Sequence, residues 1–155
     1  FLCTGNSARS ILAEALVTTL SGGKFIGYSA GSNPAGRVNP FASELALALG
    51  YPKEKLRSKN WDEFSLPDSP QMDFIITVCD NAANEACPVW VGHPSTAHWG
   101  FPDPASVDGT DAIKREAFQK TLLALKKNIE ALIKLPIDQL DSSSLKKAIQ
   151  DIHDE

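Results

Sequence analysis

The stretch Asp73-Phe74-Ile75-Ile76-Thr77-Val78-Cys79 constrains this chain more than any other, because its centre is apolar without a break. A strand with one wet face alternates. An unbroken run belongs to a strand covered on both faces, which is the habit of parallel sheets. Parallel neighbours need crossover connections, usually helices, and the rest of the chain supplies them. Ala8, Ile11, Leu12, Ala15, Leu16 and Leu20 recur with a helical period and stop at Gly22-Gly23. Asn39 followed by Pro40 predicts a second helix, with Asn as N-cap, ending at Gly50. Residues 111–135 predict a long amphipathic helix that buries Ile113, Ala117, Leu122, Leu125, Ile129, Leu132 and Ile133, and a short helix is expected near 61–64. Further strands are expected at Phe1-Leu2, at 25–29 and at Ala97-His98-Trp99. This alternation predicts a single α/β domain over 1–135, an open parallel four-stranded sheet with helices on both faces. Pro136 ends the last helix, and 136–155 read as a polar, acidic tail with one short helix from Leu145 to Ile152.

With 155 residues the chain can bury a full core and needs no disulfide or structural metal. The formal charge of −4 argues against nucleic acid as a partner. The tail carries five acids and two lysines, so the body is close to neutral and any bound anion must be held by local groups. No apolar run reaches membrane length and no leader is visible. Three cysteines are too few, and odd in number, for a secreted disulfide framework; they read as reduced thiols in a cytoplasmic protein. Phe1-Leu2 is short for a strand, so a few residues are expected to precede it.

Sites in open α/β sheets lie at the carboxyl ends of strands. Cys3, Cys79 and Asp103 all fall there. The segment Cys3-Thr4-Gly5-Asn6-Ser7-Ala8-Arg9-Ser10 joins a strand to a helix in a few residues. Such a loop turns successive backbone N–H groups toward one point, and the helix N-terminus adds positive potential. That cradle is expected to lower the Cys3 pKa from about 8.5 and make thiolate available at neutral pH. Arg9 offers a planar fork that fits a tetrahedral oxyanion. Ser10 is placed to donate to the thiolate, and Asn6 to hold the loop's shape.

Cys-x5-Arg-Ser on a strand-to-helix loop, with a distal Asp-Pro, resembles the low-molecular-weight protein tyrosine phosphatase fold. Within it, CTGNSARS, SAGSNPAGRVNP and TVCDNAANEACPVW are similar to the three-cysteine arsenate reductases. The resemblance spans roughly 1–135. It implies a redox relay in which Cys3 attacks arsenate while Arg9 and the amides of residues 4–10 hold its oxygens, as they would hold phosphate or sulfate. Asp103, in Phe101-Pro102-Asp103-Pro104, matches the family's general acid. The relay then runs Cys3, Cys79, Cys87. No tightly bound cofactor is implied, only an external thiol reductant: thioredoxin, or glutaredoxin with glutathione. Some relatives also bind a monovalent cation through residues matching Asn6 and Ser29.

A disulfide needs Cα atoms about 4.4–6.8 Å apart. Seven residues separate Cys79 and Cys87, one more than in the best-known thioredoxin-coupled members. Residues 80–91 are therefore expected to move with redox state. Zinc on Cys79, Cys87, His93 and His98 fits no common ligand spacing, so no metal is expected. Two other readings share the loop. A tyrosine phosphatase would use Cys3, Arg9 and Asp103, but Ala105 and Ser106 stand where such enzymes carry an aromatic platform. A non-catalytic oxyanion or redox sensor would oxidise once and stop.

Overall fold

The computed structural model describes residues 1–79 and 94–154. Residues 80–93, including Cys87 and the expected redox-mobile segment, lie outside the described residues. The sheet has the order β2-β1-β3-β4, with β1 at Leu2–Cys3, β2 at Ala30–Gly31, β3 at Phe74–Thr77 and β4 at Ser95–His98. Every pairing is parallel, with Leu2 opposite both Ala30 and Thr77. Among the described residues, four helices complete the frame: α1 at Arg9–Leu20, α2 at Pro40–Ala48, α3 at Asp111–Ile133 and α4 at Ser142–Asp154. The fold is the expected open α/β sheet in a single domain.

Local chemistry explains most of the boundaries. Asn39 caps α2 by accepting from the Phe41 N–H at 2.9 Å, and Thr110 caps α3 through Ile113. The expected turn near 61 is a single 3-10 turn, Trp61–Phe64, capped by Asn60. The second strand differs from expectation. The regular ladder begins at Ala30, because Gly27 turns its N–H to Thr18 Oγ1 on α1 instead of to a strand. A side chain at Gly27 would strike Val17 and the Glu14 carbonyl, so the backbone there runs tight against the helix.

The main core lies between the sheet and α1, α3 and α4. Leu12, Leu16, Ile76, Trp99, Phe118 and Leu125 are among its buried members. The last twenty residues form a 3-10 turn, Ile137–Gln139, and then α4, whose Leu145 and Ile149 are buried in that same core. Spaced four apart, these two side chains share a helix face, so a polar segment still docks by one apolar stripe. No described helix is long and apolar enough to cross a membrane.

Candidate active site

The loop from Cys3 to Arg9 is held from outside. Three of its carbonyls are spoken for: Thr4 O accepts from Asn33 N, Gly5 O from Ala35 N and Ser58 Oγ, and Ser7 O from Asn39 N, at 2.8–3.0 Å. With the carbonyls drawn outward, the N–H groups of Gly5, Asn6, Ser7 and Ala8 are left with no acceptor among the described residues. Ala8 is the N-cap of α1 and offers no side-chain oxygen to the first turn. Four unpaired amides at an uncapped helix start are a place for an anion. Gly31 makes the close approach possible, since a Cβ there would press into the Thr4 carbonyl.

Asn6 sets the curvature. It adopts φ +45°, a left-handed conformation that asparagine tolerates better than most residues. Its fully buried amide makes three hydrogen bonds at 2.9 Å: Nδ2 donates to Ser10 Oγ and Ser29 Oγ, and Oδ1 accepts from Lys59 N. Ser29 donates to Glu14 Oε1, and Tyr51 donates to Glu14 Oε2. Lys59 Nζ lies 3.5 Å from Glu14 Oε1, 3.3 Å from Ser29 Oγ and 3.1 Å from the Arg57 carbonyl. Burial pushes the Lys59 ammonium below its usual range, against the pull of Glu14. Burial also pushes the Tyr51 phenol up, aided by its bond to Glu14. The positive charge beside Ser29 thus belongs to the chain's own lysine. Glu14, Tyr51 and Lys59 were missed from sequence. The available signal was Glu14, an acid inside the apolar stripe Ile11-Leu12-Ala15 of α1.

Arg9 closes the loop's mouth. Nη1 donates to Phe101 O at 2.8 Å, Nη2 stands 3.9 Å from Asp103 Oδ2, and Nε is buried with no hydrogen-bond partner among the described residues. The Nε/Nη2 edge of the guanidinium is therefore the one left for a two-point grip on an oxyanion. Asp103 is partly exposed and caps the 3-10 turn Pro104–Ser106 through Ala105 N. The structure thus brings Arg9 and Asp103 to one mouth.

Cys3, the last residue of β1, and Cys79, two residues past β3, are both buried. They meet because Leu2 is in register with Thr77. The Thr4 N–H donates to Cys79 Sγ at 3.3 Å, so this first amide serves the second sulfur. The expected lowering of the Cys3 pKa is not what this arrangement gives. Its hydrogen bond to Cys79 and its burial push it well up, against the Arg9 charge and the Thr4 amide. Sequence reading puts both sulfurs at strand ends; the fold sets them side by side, and they compete for the same stabilisation. Ser10 Oγ accepts from Asn6 Nδ2, and no hydrogen bond joins it to Cys3 among the described residues. Since Cys79 is the largest cause, alkylation of Cys3 by iodoacetamide should need higher pH than a free thiol, and Cys79→Ala should shift that profile down. Mass spectrometry of the Cys3 peptide reads it; an unchanged profile would remove Cys79 as the cause.

Among the described residues no group of three or more His, Cys, Asp or Glu is placed to hold a metal ion. Fold and loop together define a protein that presents a strand-end cysteine and a helix-borne arginine to a tetrahedral oxyanion. The sequence profile of the low molecular weight phosphotyrosine protein phosphatase family matches residues 1–150, and the chain belongs to that family. It is 35% identical over 130 residues to an arsenate reductase of Halalkalibacterium halodurans, covering 84% of this chain and 90% of that one. It also resembles a solved arsenate reductase in the oxidized state (TM-score 0.65, 28% identity, 86% of this chain and 93% of the other). A solved arsenate reductase in the phosphate binding state gives a TM-score of 0.62 at 27% identity, with the same coverage.

Proposed function

We propose that this protein reduces arsenate to arsenite, in the cytoplasm, as an arsenic-detoxifying enzyme. The observation that supports this reading is the second sulfur: Cys79 hydrogen-bonds Cys3 and takes the Thr4 N–H at the rim of an amide cradle. A phosphatase needs one thiolate, and a reductase needs a second thiol within reach of the first.

Arsenate enters the loop, its oxygens facing the amides of residues 5–8 and the free edge of Arg9. The Cys3 proton passes to Cys79, and Cys3 Sγ attacks arsenic. One oxygen leaves as water, protonated by Asp103. Cys79 gives that proton to the Asp103 carboxylate, which the previous step left ionised, and its thiolate then attacks Cys3 Sγ. The new S–S bond forms as the S–As bond breaks, and that electron pair stays on arsenic, which departs as arsenite. Two thiols give up two electrons and arsenic takes two. Cys87 next attacks Cys79, freeing Cys3, and an external dithiol protein of the thioredoxin or glutaredoxin type, or glutathione, reduces the 79–87 disulfide.

The test is arsenate-dependent NADPH oxidation through a thioredoxin or a glutaredoxin system. Cys87→Ser should complete one turnover and stop, with a Cys3–Cys79 disulfide found by mass spectrometry. Continued cycling of Cys87→Ser at the wild-type rate would overturn the three-thiol relay.

A further inference from the structure

Helix α4 touches three closely spaced residues on the path from β4 to the mouth of the loop. Gln150 Oε1 accepts from His98 N at 2.8 Å and its Nε2 donates to His98 O at 2.7 Å, so one side-chain amide pairs with the backbone of the edge strand as a neighbouring strand would. Trp99 Nε1 donates to the Ile149 carbonyl at 2.9 Å. The His153 ring stands edge-on to Phe101, with centroids 5.0 Å apart, and its Nδ1 is 3.0 Å from Asn128 Nδ2 on α3.

Phe101 is the joint of this path. Its N–H donates to Val78 O at 3.1 Å, next to Cys79, and its carbonyl accepts from Arg9 Nη1 at 2.8 Å. That carbonyl is the hydrogen-bond acceptor of Arg9 and fixes which edge of the guanidinium remains open. Asp103 follows two residues on. The position of Arg9 is thus tied, through one backbone carbonyl, to the ring that His153 packs against.

We propose that His153 and Gln150 are positioning residues for Arg9: α4 braces residues 98–101 so that the Phe101 carbonyl turns the Nε/Nη2 edge toward the bound oxyanion. The inference rests on the reading of Arg9 as an oxyanion ligand, part of the function proposed above, but not on the reduction of arsenate.

The test uses the full chain and inorganic phosphate as probe, so that binding is measured apart from turnover. His153→Ala should weaken phosphate binding in calorimetry, and lower kcat/KM for arsenate, by a factor on the order of ten to a hundred, the scale of a small misplacement near reacting groups. His153→Phe, which keeps an aromatic ring against Phe101, should restore most of both. The deciding measurement is coupling. In an Arg9→Lys background, which lacks the fork, His153→Ala should have little further effect on phosphate affinity. Equal losses in both backgrounds, or full phosphate affinity in a folded His153→Ala, would overturn the proposal. If His153→Ala fails to fold, Gln150→Leu is put through the same cycle and judged by the same outcomes. Wild-type protein that binds phosphate but does not turn over arsenate would end the reductase reading and leave this one standing.

Discussion

Cys3→Ser should abolish arsenate reduction, by at least about 10^4-fold in kcat/KM, on the scale seen when an enzyme's nucleophile is removed. Serine keeps the size and the hydrogen-bonding capacity at the end of β1, so the core cluster that Cys3 shares with Leu12 and Val78 changes little. What goes is the chemistry. A hydroxyl is not ionised by the modest help that Arg9 and one amide supply, and an oxygen cannot become half of a disulfide. The cradle itself remains, because Gly5, Asn6, Ser7 and Ala8 keep their unpaired N–H groups and Arg9 keeps its open edge. Phosphate affinity should therefore stay within a few-fold of wild type while turnover vanishes. Turnover surviving in Cys3→Ser would show that another sulfur carries the reaction.

Lys59→Met should be the most damaging change for stability. The Lys59 and Glu14 side chains are only 5% and 4% exposed, so removing the ammonium strands a carboxylate in the interior. Breaking such a pair from one side costs about 3–5 kcal/mol, which lowers Tm by roughly 10 °C in a domain of this size. The loss reaches the site through Ser29 and Asn6, whose left-handed turn depends on them. Glu14→Gln added to Lys59→Met should recover part of the lost stability, because it removes the stranded charge. The pH dependence carries a definite sign. Burial lowers the folded pKa of Lys59 from 10.5, so the unfolded chain holds that proton more tightly. Between the folded value and 10.5 the unfolded state binds more protons, and this residue's contribution to stability rises with pH. That alkaline gain should be absent in Lys59→Met. Denaturant unfolding over a pH series measures it, and an unchanged slope would show that the buried amine does not titrate on unfolding.

The sheet was legible because the run 74–78 and the three helical stripes are written in residue types, and burial on both faces leaves no room for alternation. The loop was legible for a related reason: Cys3, Gly5, Arg9 and Ser10 sit within eight positions of one another. What lay beyond reading was set by contacts between distant segments. Lys59 reaches Glu14 across 45 positions, and nothing near Lys59 marks it as buried. The rise in the Cys3 pKa depends on where Cys79 lands, which in turn depends on a register one residue away from another answer. Docking of α4 hangs on Leu145 and Ile149, too few apolar residues to stand out in a polar tail.

The pairing of Gln150 with His98 has a bearing on self-association. An outermost strand ordinarily offers its bare N–H and C=O groups to any extended chain that drifts by, which is how sheets fuse into aggregates. Here a glutamine amide plugs that socket at the end of β4. A chain cut short after Leu140 would unplug it and uncover the seats of Leu145 and Ile149 together, and clumping during expression would be its first symptom.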